Sequence, residues 1–337
     1  MTNGGMVASR ARASSFGGRR WFRIALFFLG IGTFVWVLRS CNEERVWEAL
    51  GGVGWKFLPI FFLELVFDAA NTVGWRLAFP VGNVPGFWKL FFVRQAGTTI
   101  NQVTPTATLG GEPLKAMLLA PTVPIPDGLA SVILAQTTFM IAQMIFVLFA
   151  LVFILPLLGV SVNVKVAMIV TFLGLAAGLF AAVKIQKEGG WGYLLSAVVG
   201  KVLSKAKAES VIAETGKTEE RLRRIFSHER GAVWGSVAAH LAGRLVSLGQ
   251  IWLILSALGV STGLGICLAV SGLSILIDLP TSIVPGRVGV QEGGRVLILT
   301  ALGLPPPLGF ALSLVERAVQ LASILLGSMS LSFLAGK

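Results

Sequence analysis

Apolar runs of about twenty residues recur along the chain and constrain its fold more than any other feature. Of 337 residues, 55% are hydrophobic and 13% are charged, and the mean hydropathy is +0.81. A helix needs about twenty apolar residues to cross the hydrocarbon core of a bilayer. We therefore predict an all-α polytopic membrane protein. The predicted spans are 22–38, 57–79, 129–155, 164–183, 231–258 and 308–334.

A polar, helix-breaking stretch interrupts the apolar sequence in the first half of the chain. Residues 101–115 read NQVTPTATLGGEPLK. Pro105 and the adjacent glycines disfavour a continuous helix, whereas Pro113 suits the first turn of a new one. Non-helical backbone at membrane depth is tolerated only where protein or a watery cavity satisfies it. We therefore predict a candidate site at the tip of a re-entrant helical hairpin with arms 85–100 and 113–119.

The same pattern returns 180 residues later, between positions 105 and 285. In both copies a glutamate follows a proline by seven residues, and a cation follows the glutamate by three. The same offset aligns Gln136 with Glu316 in the next apolar segment. We predict a second hairpin with arms 264–283 and 296–302. The repeated residues are Pro105, Glu112 and Lys115, then Pro285, Glu292 and Arg295.

The distribution of charge orients these segments in the membrane. Basic residues collect in the tail 1–20 and in the loop 184–230, which holds ten Lys and Arg against six Glu. Cytoplasmic loops are rich in Lys and Arg, so the net charge of +12 indicates membrane-facing loops rather than nucleic-acid binding. The units 57–160 and 231–337 (each span, hairpin, span) then insert in opposite orientations, an inverted repeat typical of transporters. The competing hypothesis is that 264–283 crosses the membrane fully.

The remaining divisions of the chain are simpler. The tail 1–20 is expected to be disordered and cytoplasmic, and 21–56 to hold the first span and an outer loop. Residues 161–183 form a connecting span. Within the basic loop, 191–206 reads as an amphipathic helix that lies on the inner leaflet.

Ionisable residues inside the predicted spans mark further candidate positions. Glu64, Asp68 and Asn71 recur at helical spacing and therefore share one face. Charged groups in a span normally face the bundle interior or a water-filled cavity. These residues fit a proton or cation relay. They equally fit structural partners of arginines elsewhere, namely Arg94, Arg287 or Arg317.

Glu112 and Glu292 have two interpretations. In the first, the starts of the half-helices and the nearby cations point into the bundle and hold an anionic lipid headgroup. In the second, each glutamate caps its own half-helix and pairs with the cation three residues later. The two are compatible, since a capped acid can exchange partners during transport.

Other polar residues in the spans are expected to have structural roles. Glu316 and Arg317 point about 100° apart on one helix, so we expect each to have a partner on another helix. Gln136 and Gln143 are expected to form hydrogen bonds between helices. A lone histidine such as His240 is more often structural than a ligand.

Motifs of metal, nucleotide and dinucleotide chemistry are absent from the sequence. It contains no His-Glu-x-x-His, no P-loop and no dinucleotide fingerprint. Cys41 and Cys267 are too few for a disulfide framework or a thiolate metal site. We expect no enzyme activity, no cofactor and no metal. Any net transport must then run downhill, on an ion gradient, or by consumption of the product.

Together these motifs resemble the lysylphosphatidylglycerol synthase transmembrane family, also called flippase-like. Members fused to a soluble aminoacyl-transferase domain make and translocate aminoacylated phosphatidylglycerol. We expect no such domain in this protein, so the resemblance implies translocation alone. Stand-alone relatives are associated with phospholipid, polyprenyl-linked sugar or hopanoid pathways. The matching motifs are NQVTP (101–105), GGEPLK (110–115), PGRVGVQE (285–292) and the pair Glu316-Arg317.

One position departs from the family pattern. Lys115 stands where the family more often has arginine. The charge is kept, but an ammonium group does not form the bidentate hydrogen bonds to phosphate that a guanidinium group forms.

We therefore predict a bacterial inner-membrane protein, N-terminus inside, that moves a polar or anionic lipid between leaflets. An ion-coupled carrier of a soluble solute is the second hypothesis, favoured by a fully enclosed cavity. A membrane partner that recruits a lipid-biosynthesis enzyme through the basic loop is the third. A homo-oligomer is compatible with the sequence. The predicted headgroup residues are Arg94, Asn101, Glu112, Lys115, Arg287, Glu292 and Arg295, supported by Glu64, Asp68, Asn71, Gln136, Glu316 and Arg317.

Overall fold

The computed structural model describes residues 47–48, 50–79, 84–103, 110–156, 158–188, 216–226, 229–284 and 287–335. Within these residues the chain forms helices and turns and no strands, which confirms the all-α class. The α-helices are α1 (Phe57–Leu77), α2 (Phe87–Val103), α3 (Gly111–Leu119), α4 (Ile125–Ile154), α5 (Val162–Glu188), α6 (Arg230–Ala257), α7 (Leu264–Asp278), α8 (Val290–Ala301) and α9 (Pro306–Ala335). Short 3-10 turns occupy Gly54–Lys56 and Pro280–Ile283, and 216–226 is also helical.

Five helices of the described part, α1, α4, α5, α6 and α9, are long and apolar enough to cross a membrane. They match five predicted spans, with ends shifted by a few residues. The sixth predicted span, 22–38, lies outside the described residues, as do the tail 1–20 and the segment 191–206. The protein is therefore a multi-pass membrane protein.

Shorter helices occupy the two predicted hairpins. In the first, α2 ends at Val103 and α3 begins at Gly111, two residues before the predicted start at Pro113. In the second, α7 ends at Asp278, and α8 begins at Val290, six residues before the predicted 296. Whether these arms are re-entrant, and whether 264–283 crosses fully, stays a prediction.

The early start of α8 has a local cause. Gly289 has a φ of +80°, a conformation that costs glycine little. Its N–H donates to the Glu292 carboxylate at 2.6 Å, which satisfies a group that a helix start otherwise leaves unpaired. Two glycines follow in α8, at 293 and 294. At Gly294 the helix packs so closely on α7 that a Cβ would lie only 3.1 Å from the Ile277 side chain. Tertiary packing therefore overrides the low helix propensity of glycine.

Helices α1–α4 form one group and helices α6–α9 a second, and the two groups pack in the same pairwise pattern. Within the groups, α1–α2, α2–α3 and α3–α4 contacts correspond to α6–α7, α7–α8 and α8–α9 contacts. Between the groups, α2 packs on α9 as α4 packs on α7, and α1 packs on α6. The same set of contacts results when α1, α2, α3 and α4 are exchanged in order for α6, α7, α8 and α9. Helix α5 lies outside both groups and packs on α4 and α7.

Glycines allow close approach of α2 to two of its neighbours. A Cβ at Gly111 of α3 would overlap the carbonyl oxygen of Gly97. A Cβ at Gly327 of α9 would overlap the Thr99 hydroxyl and lie 2.5 Å from the Gln95 carbonyl oxygen. Small residues at such interfaces are the usual means of close helix packing in membranes.

Candidate functional site

A cavity of about 510 Å³ lies between the two groups of helices. Its wall draws on α1, α2, α3, α4, α6, α7 and α9 and on the turn after α7. Glu64, Asp68 and Asn71 line it from one face of α1, as their helical spacing predicts. The polar face of this span therefore points into a cavity and not into lipid.

Most of the predicted site residues come together at this cavity. Ten of the thirteen line its wall. The other three are Glu292, Arg295 and Glu316, which lie behind the wall. Arg295 pairs with Asp278 and Glu292 with Arg317, both of which line the cavity, and Glu316 is connected to it through Arg295.

Asn101 ties the end of α2 to the start of α3. Its Oδ1 accepts a hydrogen bond from the Gly111 N–H at 2.6 Å, and its Nδ2 donates to Glu112 Oε1 at 3.0 Å. Lys115 Nζ donates to both carboxylate oxygens of Glu112, at 2.8 and 3.0 Å. Glu112 thus pairs with the cation three residues later, as the second interpretation predicts, but the start of α3 is capped by Asn101 and not by Glu112.

Glu292 behaves differently from Glu112. It is fully buried (0% exposed), and one oxygen caps the start of α8 through the Gly289 N–H. The other oxygen accepts from Arg317 Nε at 2.9 Å. The predicted pairing of Glu292 with Arg295 is therefore wrong, because the carboxylate turns toward the helix start and α9.

Arg295 instead connects three helices. It pairs with Asp278 of α7 at 3.0 Å and with Glu316 of α9 at 2.9 Å. Gln291 donates to the same oxygen of Glu316 at 3.0 Å. Glu316 and Arg317 each have a partner on another helix, as predicted.

The polar face of α1 is tied to neighbouring helices. Asp68 forms an ion pair with Arg94 and accepts from Gln95 Nε2 at 2.7 Å. Glu64 accepts from the Gln250 amide of α6 at 3.0 Å. Asp68 is thus a structural partner of Arg94, one of the two roles predicted for it.

His240 joins the same interface from α6. Its Nδ1 lies 2.7 Å from Asn71 Oδ1, and Asn71 Nδ2 donates to the Phe67 carbonyl. The amide orientation makes Oδ1 an acceptor, so His240 Nδ1 carries the proton. The residue is 3% exposed and its ring meets the edge of Phe139, a packing that agrees with the expected structural role.

Two arginines of the wall make no ion pair with any residue in the described part of the chain. Arg244 lies between the rings of Phe67 and Phe139, 5.0 and 4.9 Å from their centroids, which is cation–π geometry. Arg287 has a φ of +50°, which is uncommon for a residue with a side chain. Both guanidinium groups are thus available to an anion in the cavity.

Sequence reasoning missed three residues of this region. Arg244 lies one turn after His240 in an apolar span, and that spacing was its only signal. Asp278 is the only acid in α7. Gln250 had no signal, because an amide near the end of a span is common.

The two glutamines of α4 differ from their predicted role. Gln136 is exposed in the cavity wall. Among the residues that the structure describes, Gln143 donates to Met140 Sδ of its own helix at 3.4 Å and to no other helix, unlike the prediction.

One wall of the cavity continues onto the outer surface of α9. Arg317, Leu321 and Ile324 line the cavity at helical spacing. Leu321 is 61% exposed, and Leu325 and Met329 continue its exposed row at intervals of four residues. Leu321 therefore belongs both to the cavity wall and to the exposed apolar surface of α9.

Residues 259–263 read Gly-Val-Ser-Thr-Gly and match the Gly-x-Ser-x-Gly pattern by letters alone. A nucleophile elbow needs that pattern on a turn from strand to helix. Here Ser261 is exposed in the turn between two helices, α6 and α7. The match therefore carries no indication of a catalytic serine.

Comparison with known proteins agrees with the resemblance drawn from the motifs. The chain is 23% identical over 305 residues to a UPF0104 membrane protein of Methanocaldococcus jannaschii, covering 87% of this chain and 85% of the relative. A UPF0104 membrane protein of Methanothermobacter thermautotrophicus is 27% identical over 330 residues, covering 90% and 91%. No solved structure matches the chain. The model of the lysylphosphatidylglycerol synthase TM region matches residues 20–327, so the chain belongs to that family.

Proposed function

We propose that the protein moves an anionic lipid between leaflets, with the headgroup in the cavity and the acyl chains in the surrounding bilayer. The observation that carries this proposal is the position of Leu321. This exposed apolar residue joins an ionisable cavity wall to the lipid-facing row of α9. A carrier of a soluble solute would instead need a cavity closed to lipid.

The charges of the wall favour an anion. Five cations and four acids line it, a formal excess of one positive charge. Three of the cations already have acidic partners. Arg244 and Arg287 do not, and guanidinium groups suit phosphate oxygens because they donate in a planar, two-pronged geometry. The cations are Arg94, Lys115, Arg244, Arg287 and Arg317, and the acids are Glu64, Asp68, Glu112 and Asp278.

The two helix groups have the same contact pattern, and this supports an inverted repeat with alternating access to one shared site. As parts of the same proposal, the membrane is the bacterial inner membrane and the N-terminus is cytoplasmic. The basic tail and loop support that orientation. The proposal includes no chemical conversion of the lipid.

We expect Arg287→Gln to slow leaflet exchange about tenfold or more. A charge-assisted hydrogen bond contributes about 1.5–3 kcal/mol, and every 1.4 kcal/mol is about a factor of ten. The measurement is dithionite quenching of fluorescent phosphatidylglycerol in proteoliposomes. Arg244→Gln is expected to slow exchange similarly.

The matched control is Lys184→Gln, which removes a cation that is 62% exposed near the end of α5. It is expected to leave exchange unchanged. Fluorescent phosphatidylcholine, which has no net charge, should exchange more slowly than phosphatidylglycerol. Exchange of phosphatidylglycerol that is as fast in Arg287→Gln and Arg244→Gln as in wild type would rule out this headgroup site.

A further inference from the structure

Glu64 differs from the other acids of the cavity wall in the nature of its partner. Within the described ranges it makes no ion pair, and its Oε2 accepts a hydrogen bond from the Gln250 amide. A proton that neutralises Glu64 therefore leaves no buried cation without a partner. The other three acids are in ion pairs, namely Asp68 with Arg94, Glu112 with Lys115 and Asp278 with Arg295.

The hydrogen bond to Gln250 is compatible with both protonation states of Glu64. Gln250 Nε2 also donates to the Ile60 carbonyl at 3.2 Å, which fixes the amide so that a donor faces Glu64. That donor needs only Oε2. The other oxygen, Oε1, is left to take up or release a proton.

Charged groups of both signs act on Glu64 from the surrounding helices. Asp68 lies one turn along α1 from Glu64, and Arg94 of α2 and Arg244 of α6 line the same cavity wall. The charge of Glu64 therefore depends on what else enters the cavity, since a like charge nearby disfavours its ionised form and an opposite charge favours it. The other charged groups that face this space are Glu112 and Lys115 of α3, Asp278 of α7, Arg287 of the turn before α8, and Arg317 of α9. Helix α4 faces it with the uncharged Gln136 and Gln143.

We propose that Glu64 binds one proton together with the anionic headgroup, so that the two cross the membrane as a neutral pair. This inference rests on the proposed lipid translocation. A phosphate held at Arg244 brings a second negative charge beside Glu64 and thereby favours its protonation. By linkage, a protonated Glu64 strengthens headgroup binding by the same factor.

The proton balance is simple. Oε1 takes a proton from water on one side of the membrane and releases it to water on the other side. A neutral pair avoids the cost of carrying a net charge through a medium of low dielectric constant. The scheme therefore predicts transport that responds to a pH gradient and not to membrane potential.

The test uses the full chain in proteoliposomes with fluorescent phosphatidylglycerol and a gradient of about one pH unit. Coupling of one proton to one lipid predicts about tenfold accumulation of the labelled lipid in the leaflet on the alkaline side, since the two gradients balance at equilibrium. A valinomycin-imposed potential is expected to produce no accumulation. Glu64→Gln is expected to reduce the ratio to about one. Glu188→Gln, which changes an acid that is 66% exposed at the end of α5, should retain it.

A second measurement does not depend on transport. Infrared difference spectra of the purified protein should show a protonated carboxylic acid band that grows when phosphatidylglycerol is added. Glu64→Gln should lack this band.

The outcomes separate the two proposals. Wild-type protein that does not exchange phosphatidylglycerol under any condition would overturn the proposed function. Exchange without accumulation under a pH gradient, or an infrared band that persists in Glu64→Gln, would overturn only the proton coupling.

Discussion

We expect Glu292→Ala to lower the free energy of unfolding by about 3–5 kcal/mol, the usual cost of removing one partner from a buried ion pair. Glu292 is fully buried and pairs with Arg317. Alanine would leave that guanidinium without its carboxylate and the Gly289 N–H without its cap. The measurement is SDS-induced unfolding in mixed micelles, followed by tryptophan fluorescence.

Glu112→Ala is the matched control, because it removes the corresponding acid of the first sequence copy. The Glu112 side chain is 22% exposed at the cavity, whereas Glu292 is fully buried, so water already screens part of the interaction between Glu112 and Lys115. We expect a loss of about 1 kcal/mol, within the range for a partly solvated pair. Equal losses for the two variants would contradict an effect of the different burial of the two carboxylates.

The second large effect is expected for Gly327→Ala, with a loss of about 3 kcal/mol, at the upper end of the usual cost of overpacking. A Cβ at this position would overlap Thr99 and crowd the backbone carbonyl of Gln95. Backbone cannot rotate away, so α9 must separate from α2. Because both helices line the cavity, lipid exchange is expected to fall together with stability.

Gly174→Ala in α5 provides the control for this substitution. Apart from the adjacent backbone of α5 itself, no atom lies within 4 Å of a Cβ built at Gly174. Alanine is favoured over glycine in a helix by about 1 kcal/mol, so this variant is expected to be at least as stable as wild type. A Gly327→Ala protein of unchanged stability would contradict the close packing of α9 on α2.

The helices were largely predictable, because hydropathy directly reports the length of an apolar segment. The ends near glycine pairs were less predictable. The pair at 293–294 reads as a break, yet α8 runs through it because Gly294 packs closely on Ile277. Such packing depends on a residue of another helix, and one sequence carries no direct signal for it.

The site was predictable in its membership and less so in its connections. Polar groups such as Asp68 and Arg94 have few places to lie in an apolar bundle other than a shared cavity. Which acid meets which cation depends on how the helices are arranged. Spacing within one helix therefore identified the Glu112–Lys115 pair, but it gave the wrong partner for Arg295, whose acids lie on α7 and α9.

The matching contact pattern of the two helix groups bears on how the chain can be made. The groups recognise each other through α1 with α6, α2 with α9 and α4 with α7. None of these contacts requires a covalent connection between residues 188 and 216. We therefore expect two separately translated fragments, cut within that interval, to co-purify when expressed together. Fragments that insert into the membrane but do not co-purify would contradict this expectation. If the two halves arose by duplication of one gene, their separate products could then have assembled before the two genes were fused.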